Sequence, residues 1–113
     1  MRRSNAAAAE LQYLTDQFGN RAKVAEVLDV DKSSVTRWLQ GDDKPKEASE
    51  ERIAALRYLA FRLSRIYRPE VAMDWLEGIN AFLGNQRPMD FIRDGRISEV
   101  MAAIEQTDAG SYA

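Results

Sequence analysis

Residues 21–41 read RAKVAEVLDVDKSSVTRWLQG, and the fold turns on how this stretch is divided. Val24, Ala25 and Leu28 fall on one face at helical spacing, which predicts a helix over 21–28. Asp29-Val30-Asp31 interrupts it, because Asp favours turns and caps and Val favours strands. Asp31 is placed to cap a second helix, its carboxylate accepting a backbone N–H two or three residues on. That helix is expected over 32–40, with Gly41 as its stop. Val24, Ala25, Leu28, Val30, Val35 and Trp38 then close over one small core. Ala25 is small enough for the second helix to pack across the first. Two helices joined in this way read as a helix-turn-helix unit. The second helix of such a unit offers its early, outward side chains to the major groove of DNA. Here they are Lys32, Ser33, Ser34, Thr36 and Arg37. Arg37 can donate two hydrogen bonds to a guanine edge, and the hydroxyls can read bases or hold phosphates. The competing reading is a plain helical hairpin with a solvated polar face.

Residues 21–40 resemble the helix-turn-helix of the Cro/repressor (Xre) class. One position departs from that class: Asp29 stands where a glycine is common. A left-handed backbone is harder for Asp than for Gly, though Asp visits it more readily than most residues. With Asp31 nearby, the turn is also anionic, which opposes phosphate attraction.

The chain has 113 residues and 45 % hydrophobic content. That suits one domain, or two very small ones sharing a core. It contains neither cysteine nor histidine. Disulfides, thiolate metal sites and the Ser-His, Cys-His and His-metal arrangements are therefore excluded. Carboxylate-only catalysis remains chemically open, but no convergent carboxylate pair or phosphate-cradling loop is evident. An enzyme is not expected, nor is a cofactor or a metal. No run is apolar enough to span a membrane. The opening MRRSNAAAAELQYL lacks the long apolar core of a signal peptide, with Glu10 interrupting it. A cytoplasmic location is expected.

Net charge is −2, which is not the profile of a strongly basic DNA binder. Residues 1–46 hold eight Lys and Arg against seven Asp and Glu, a local +1, so the remainder carries −3. Phosphate contacts dominate affinity for DNA. Tight operator binding therefore calls for a homodimer or a larger assembly presenting two copies.

The remaining elements follow from periodicity. A helix is expected over 4–18, where four alanines favour helix and Leu11, Leu14 and Phe18 recur at helical spacing. Gly41 to Lys46 combines Gly, Pro and charge, and reads as a link. A long helix is expected from 47 to 67, with Ile53, Leu56, Leu59, Ala60, Leu63, Ile66 and Tyr67 as its stripe and Tyr58 and Phe61 beside it. The stripe is either a dimer seam or is buried against the later helices. Pro69 opens a helix that Gly78 ends, and Trp75 is expected in the core, with an interface as the alternative. In the next connection Phe82-Leu83 is expected to tuck inward. Pro88 opens a short helix through Arg93, and Arg96–Gln106 forms the last. Asp108–Ala113 is expected to be a short polar tail. The fold class expected is all-α: an N-terminal helix-turn-helix bundle over 1–46, then a helical domain over 47–113.

The second half carries a further pattern. Residues 75–110 read W-L-x3-N-x2-L-G-x3-P-x-D-x4-G-x4-V-x3-I-x5-G, matched by Trp75, Leu76, Asn80, Leu83, Gly84, Pro88, Asp90, Gly95, Val100, Ile104 and Gly110. This is similar to the toxin-binding domain of Xre/MbcA/ParS-type antitoxins of RES-Xre toxin–antitoxin systems. Those proteins also join an Xre-like part to this domain in the same order. The resemblance implies an antitoxin that neutralises a RES-domain, NAD-degrading toxin by blocking its NAD cleft. It further implies repression of its own operon through operator DNA. Carried over to this chain, Gly110, Ser111, Tyr112 and Ala113 would form the plug. The face around Arg93 and Arg96 would dock beside it. Gly lends the backbone freedom and Tyr a large amphipathic anchor. The alternative is a stand-alone repressor whose C-terminal half only dimerises.

Overall fold

The computed structural model describes residues 6–110, among which lie seven α-helices and one 3-10 turn. The helices are α1 (Ala6–Phe18), α2 (Arg21–Leu28), α3 (Lys32–Gln40), α4 (Glu47–Ser64), α5 (Pro69–Glu77), α6 (Pro88–Arg93) and α7 (Ile97–Gly110), with the 3-10 turn at Ala81–Leu83. An antiparallel bridge between Asn80 and Gln86 is the one β-type pairing among the described residues. The fold is all-α, as the periodicity predicts. The chain divides into two compact units, the first ending at Arg57 and the second beginning at Tyr58, so α4 contributes to both.

In the first unit, Leu11, Leu14 and Phe18 of α1 meet the buried Val24, Ala25, Val27 and Leu28 of α2 and Val35 and Trp38 of α3. Each of the Val, Leu and Phe side chains contributes roughly 1.5–3 kcal/mol by leaving water. Asn20 caps α2, its Oδ1 accepting from the Lys23 backbone N–H at 2.8 Å. Asp29 ends α2 in the left-handed region (φ 59°, ψ 48°). This conformation lets Asp29 N–H reach the Glu26 carbonyl at 3.2 Å and Val30 N–H the Ala25 carbonyl at 3.0 Å. The α2 carbonyls that lack helical partners are thereby satisfied. Arg52 of α4 donates to another, the Leu28 carbonyl, at 3.3 Å. Gly41 ends α3 at φ 79°. Asp31 occupies the N-cap position of α3, but its side chain makes no capping hydrogen bond. The expected carboxylate cap is thus corrected: the Asp31 main-chain carbonyl takes the first helical N–H groups. From α4, Ile53 and Leu56 are fully buried. The Arg57 guanidinium lies over the Tyr13 ring, 3.5 Å from its centroid.

In the second unit the core is Leu59, Ala60 and Leu63 of α4, Ala72 and Leu76 of α5, Leu83, then Met89, Phe91 and Ile92 of α6 and Val100, Ala103 and Ile104 of α7. α4 stops at Ser64 rather than Tyr67. Pro69 forces the residue before it away from helical geometry, and Arg68 is extended (φ −67°, ψ 158°). The chain between unwinds through turn bonds, Arg65 N–H to Arg62 and Ile66 N–H to Leu63. Trp75 is half-buried rather than in the core. Residues 80–86 form a closed loop: Asn80 N–H bonds Gln86, Asn85 N–H bonds Asn80, and Asn80 Oδ1 takes the Phe82 N–H at 2.9 Å. Gly84 and Asn85 are both left-handed, at φ 68° and 61°. The tight closure lets only one of the apolar pair point inward. Leu83 is buried and Phe82 is 54 % exposed, which corrects the expectation for Phe82.

Candidate functional site

The outward face of α3 presents Lys32, Ser33 and Arg37 exposed and Ser34 and Thr36 half-buried. Val35 and Trp38 point the other way, into the core, and so fix the rotation of this face. The polar residues are partly tethered. Arg37 Nη2 donates to Ser34 Oγ at 3.2 Å, and Arg37 Nε lies 3.9 Å from Asp43 Oδ2. Arg21 Nη1 donates to Thr36 Oγ1 at 3.3 Å. Sequence reasoning missed Arg21, which joins the start of α2 to the middle of α3 across fifteen positions. Asn20 was also passed over as a cap, although an Asn directly before a helical run is a usable signal. The exposed cations share this end of the unit with exposed Asp29, Asp31, Asp42 and Asp43. Opposite charges so balanced leave a weak field for phosphates.

The second group of expected residues lies around α6 and α7. Arg87 grips Asp90 with two hydrogen bonds, at 3.1 and 2.8 Å. This pairing, with the charge of Arg93, holds the Asp90 carboxyl below its ordinary value. Arg93 is half-buried. Gly95, at φ 79°, turns the chain from α6 into α7. Arg96 then forms a bidentate pair with Glu99, at 2.9 and 2.7 Å. Its hydrogen bonds hold the Glu99 carboxyl below the usual range. The same guanidinium lies 4.1 Å from the Phe91 ring centroid. Arg96 is therefore a fixed and exposed cation, available on its outer side.

Gly110 is exposed in the last turn of α7, which extends beyond the expected Gln106. The tail expected from Asp108 is thus helical through Gly110. Ser111, Tyr112 and Ala113 lie outside the described residues. α7 has 14 residues, a length of roughly 20 Å at 1.5 Å per residue. Arg93 and Arg96 stand at its start and Gly110 at its end. Of the expected toxin contacts that are described, Arg93 and Arg96 thus stand at the opposite end of α7 from Gly110. The side chain fixed near the α7 end is Arg62 of α4, which pairs with Glu105 Oε1 at 2.9 Å and Asp108 Oδ2 at 3.3 Å.

Among the described residues no group of His, Cys, Asp and Glu is arranged to hold a metal ion. No helix among them is long and apolar enough to cross a membrane.

The chain resembles known proteins in sequence and fold. The chain is 33 % identical over 106 residues to the probable mycobacterial cidal antitoxin Rv3188 of Mycobacterium tuberculosis, covering 93 % of this chain and 90 % of that one. It is 29 % identical over 90 residues to the mycobacterial cidal antitoxin MbcA of the same species, covering 80 % of each. Its fold matches a chain of the crystal structure of the M. tuberculosis MbcT–MbcA toxin–antitoxin complex. The TM-score is 0.81 at 27 % identity, over 95 % of this chain and 97 % of that one. No protein-family model matches the sequence. The all-α fold and these relatives define a protein of the antitoxin class. Within that class, the chain belongs to the mycobacterial cidal antitoxin family.

Proposed function

We propose that this antitoxin neutralises a RES-domain, NAD-degrading toxin by blocking its NAD cleft with the C-terminal region. The toxin would be encoded by an adjacent gene. In the same reading, residues 1–46 form an Xre-like helix-turn-helix part that represses the operon, and 47–113 form the toxin-binding domain. The observation that carries the proposal is the likeness to a chain from a toxin–antitoxin complex over almost the full length of both. Arg93, Arg96, Gly110, Ser111, Tyr112 and Ala113 are the proposed toxin contacts. Because Arg96 and Gly110 lie at opposite ends of α7, one toxin must cover the length of that helix to meet both. An interface of ordinary size, about 800 Å² per partner, is wide enough for this.

For DNA the proposed contacts are Lys32, Ser33, Ser34, Thr36 and Arg37. The exposed α3 face and the spacing of its core residues support that assignment. The balanced charge around α3 makes a homodimer or a toxin–antitoxin assembly the binding species. It would act in the cytoplasm. Affinity purification of the chain co-expressed with the adjacent gene product tests both halves. The expected result is a stable complex that retards the DNA upstream of the pair. Isolation of the chain alone, with the toxin fully active beside it, would overturn the antitoxin mechanism.

A further inference from the structure

α4 has a second face in its C-terminal half. Leu56, Leu59, Ala60 and Leu63 are buried, whereas Tyr58, Phe61, Arg62 and Arg65 recur at positions i, i+3, i+4 and i+7 on the outer side. Tyr58 is 50 % and Phe61 41 % exposed, and the Arg65 guanidinium stands 6.0 Å from the Phe61 ring centroid. We propose that this Tyr58–Phe61–Arg65 face is where the rim of the toxin's cleft seats, with an apolar hollow for the two rings and a carboxylate for Arg65. The inference rests on the tail-plug reading above and deepens it.

The occupant follows from the reach of the chain. Residues 111–113 extend at most about 10 Å from Gly110 even when fully stretched. A partner that receives Tyr112 in a cleft must therefore close down on the end of α7 and cover whatever adjoins it. What adjoins it is settled by Arg62, held by Glu105 and Asp108 in the last two turns of α7. Tyr58 and Phe61 are the helical neighbours of Arg62, one turn before it and directly beside it. Tyr58 interacts with the same guanidinium and shifts its pKa upward. Exposed aromatic and arginine side chains are the types enriched in the cores of protein interfaces. Arg93 and Arg96, at the other end of α7, cannot supply this rim contact.

The test uses the full chain and the purified product of the adjacent RES-domain gene, with affinity measured by titration calorimetry. The Tyr58→Ala/Phe61→Ala chain is expected to bind at least tenfold more weakly. Phe61→Glu alone should weaken binding in the same direction, by placing a carboxylate against the carboxylate expected to meet Arg65. Val71→Ala, which trims another exposed apolar residue of the same unit, should leave affinity unchanged. Circular dichroism at the titration temperature should show the same helicity for all four chains, so that a change in affinity is not a loss of fold. Unchanged affinity in the double variant would overturn the proposal. So would a loss of dimer mass by light scattering with toxin affinity intact, since the face would then join two copies of this chain. Failure of the unaltered chain to bind would overturn the tail-plug reading itself, and this inference with it.

Discussion

Arg37 is held from two sides, by the Ser34 hydroxyl at 3.2 Å and more loosely by Asp43 at 3.9 Å. Both contacts are solvent-exposed, and such pairs contribute little, so the guanidinium is free to exchange them for a base edge. Arg37→Ala should cost about 1–3 kcal/mol of operator binding if this side chain reads a base, measured by gel shift at fixed salt. Toxin binding should not change. Asp90 gives a pH-dependent counterpart in the second unit. Its folded-state pKa lies below the model-peptide value of 3.8, so the native state favours the ionised form. Such a group adds stability above its unfolded pKa and loses it as pH falls through the folded value. Asp90→Asn should therefore lower the melting temperature at pH 7, and the gap to the unaltered chain should narrow at pH 3. Equal gaps at the two pH values would remove the Arg87–Asp90 pair from the account.

At the scale of elements, the breaks of α2 and α3 were legible because the signals are local. Asp29 and Gly41 each end a helix through their own backbone. Asp29 holds a left-handed conformation that suits Gly better, and it places a negative charge at a helix C-terminus. Relief of about 1–2 kcal/mol of left-handed strain outweighs about 0.4–1 kcal/mol of added unfolded-chain entropy. The dipole term acts in the same direction. Asp29→Gly should accordingly stabilise the first unit by up to about 1 kcal/mol, read as a higher denaturant midpoint. It should also strengthen DNA binding by removing an anion from the turn. The end of α7 was not legible. Asp108-Ala109-Gly110 has the local composition of a tail, yet it stays helical. Asp108 is engaged by Arg62, 46 positions away in sequence, and no local pattern announces such a contact. Phe82 was misread for a related reason: the bridge between Asn80 and Gln86 sets which of two adjacent apolar residues faces inward.

Across the whole molecule, two compact units share α4, and the two proposed tasks fall at opposite ends of the sequence. The residues proposed to read DNA came from a local motif, and the structure exposes the α3 face that carries them. The toxin contacts came from a family resemblance, and α7 separates Arg93 and Arg96 from Gly110 by roughly 20 Å. Part of this separation is legible in the helix expected over 96–106, and the continuation of α7 to Gly110 adds the rest. The separation predicts that the two ends of α7 contribute separably to toxin binding. The most direct test follows NAD loss by a fixed amount of the RES-domain toxin, titrated with the full chain or with one ending at Ala109. The full chain should abolish NAD loss near equal stoichiometry, while the shortened chain should still bind but leave much of the activity. Equal protection by the two chains would contradict the claim that the C-terminal residues close the cleft.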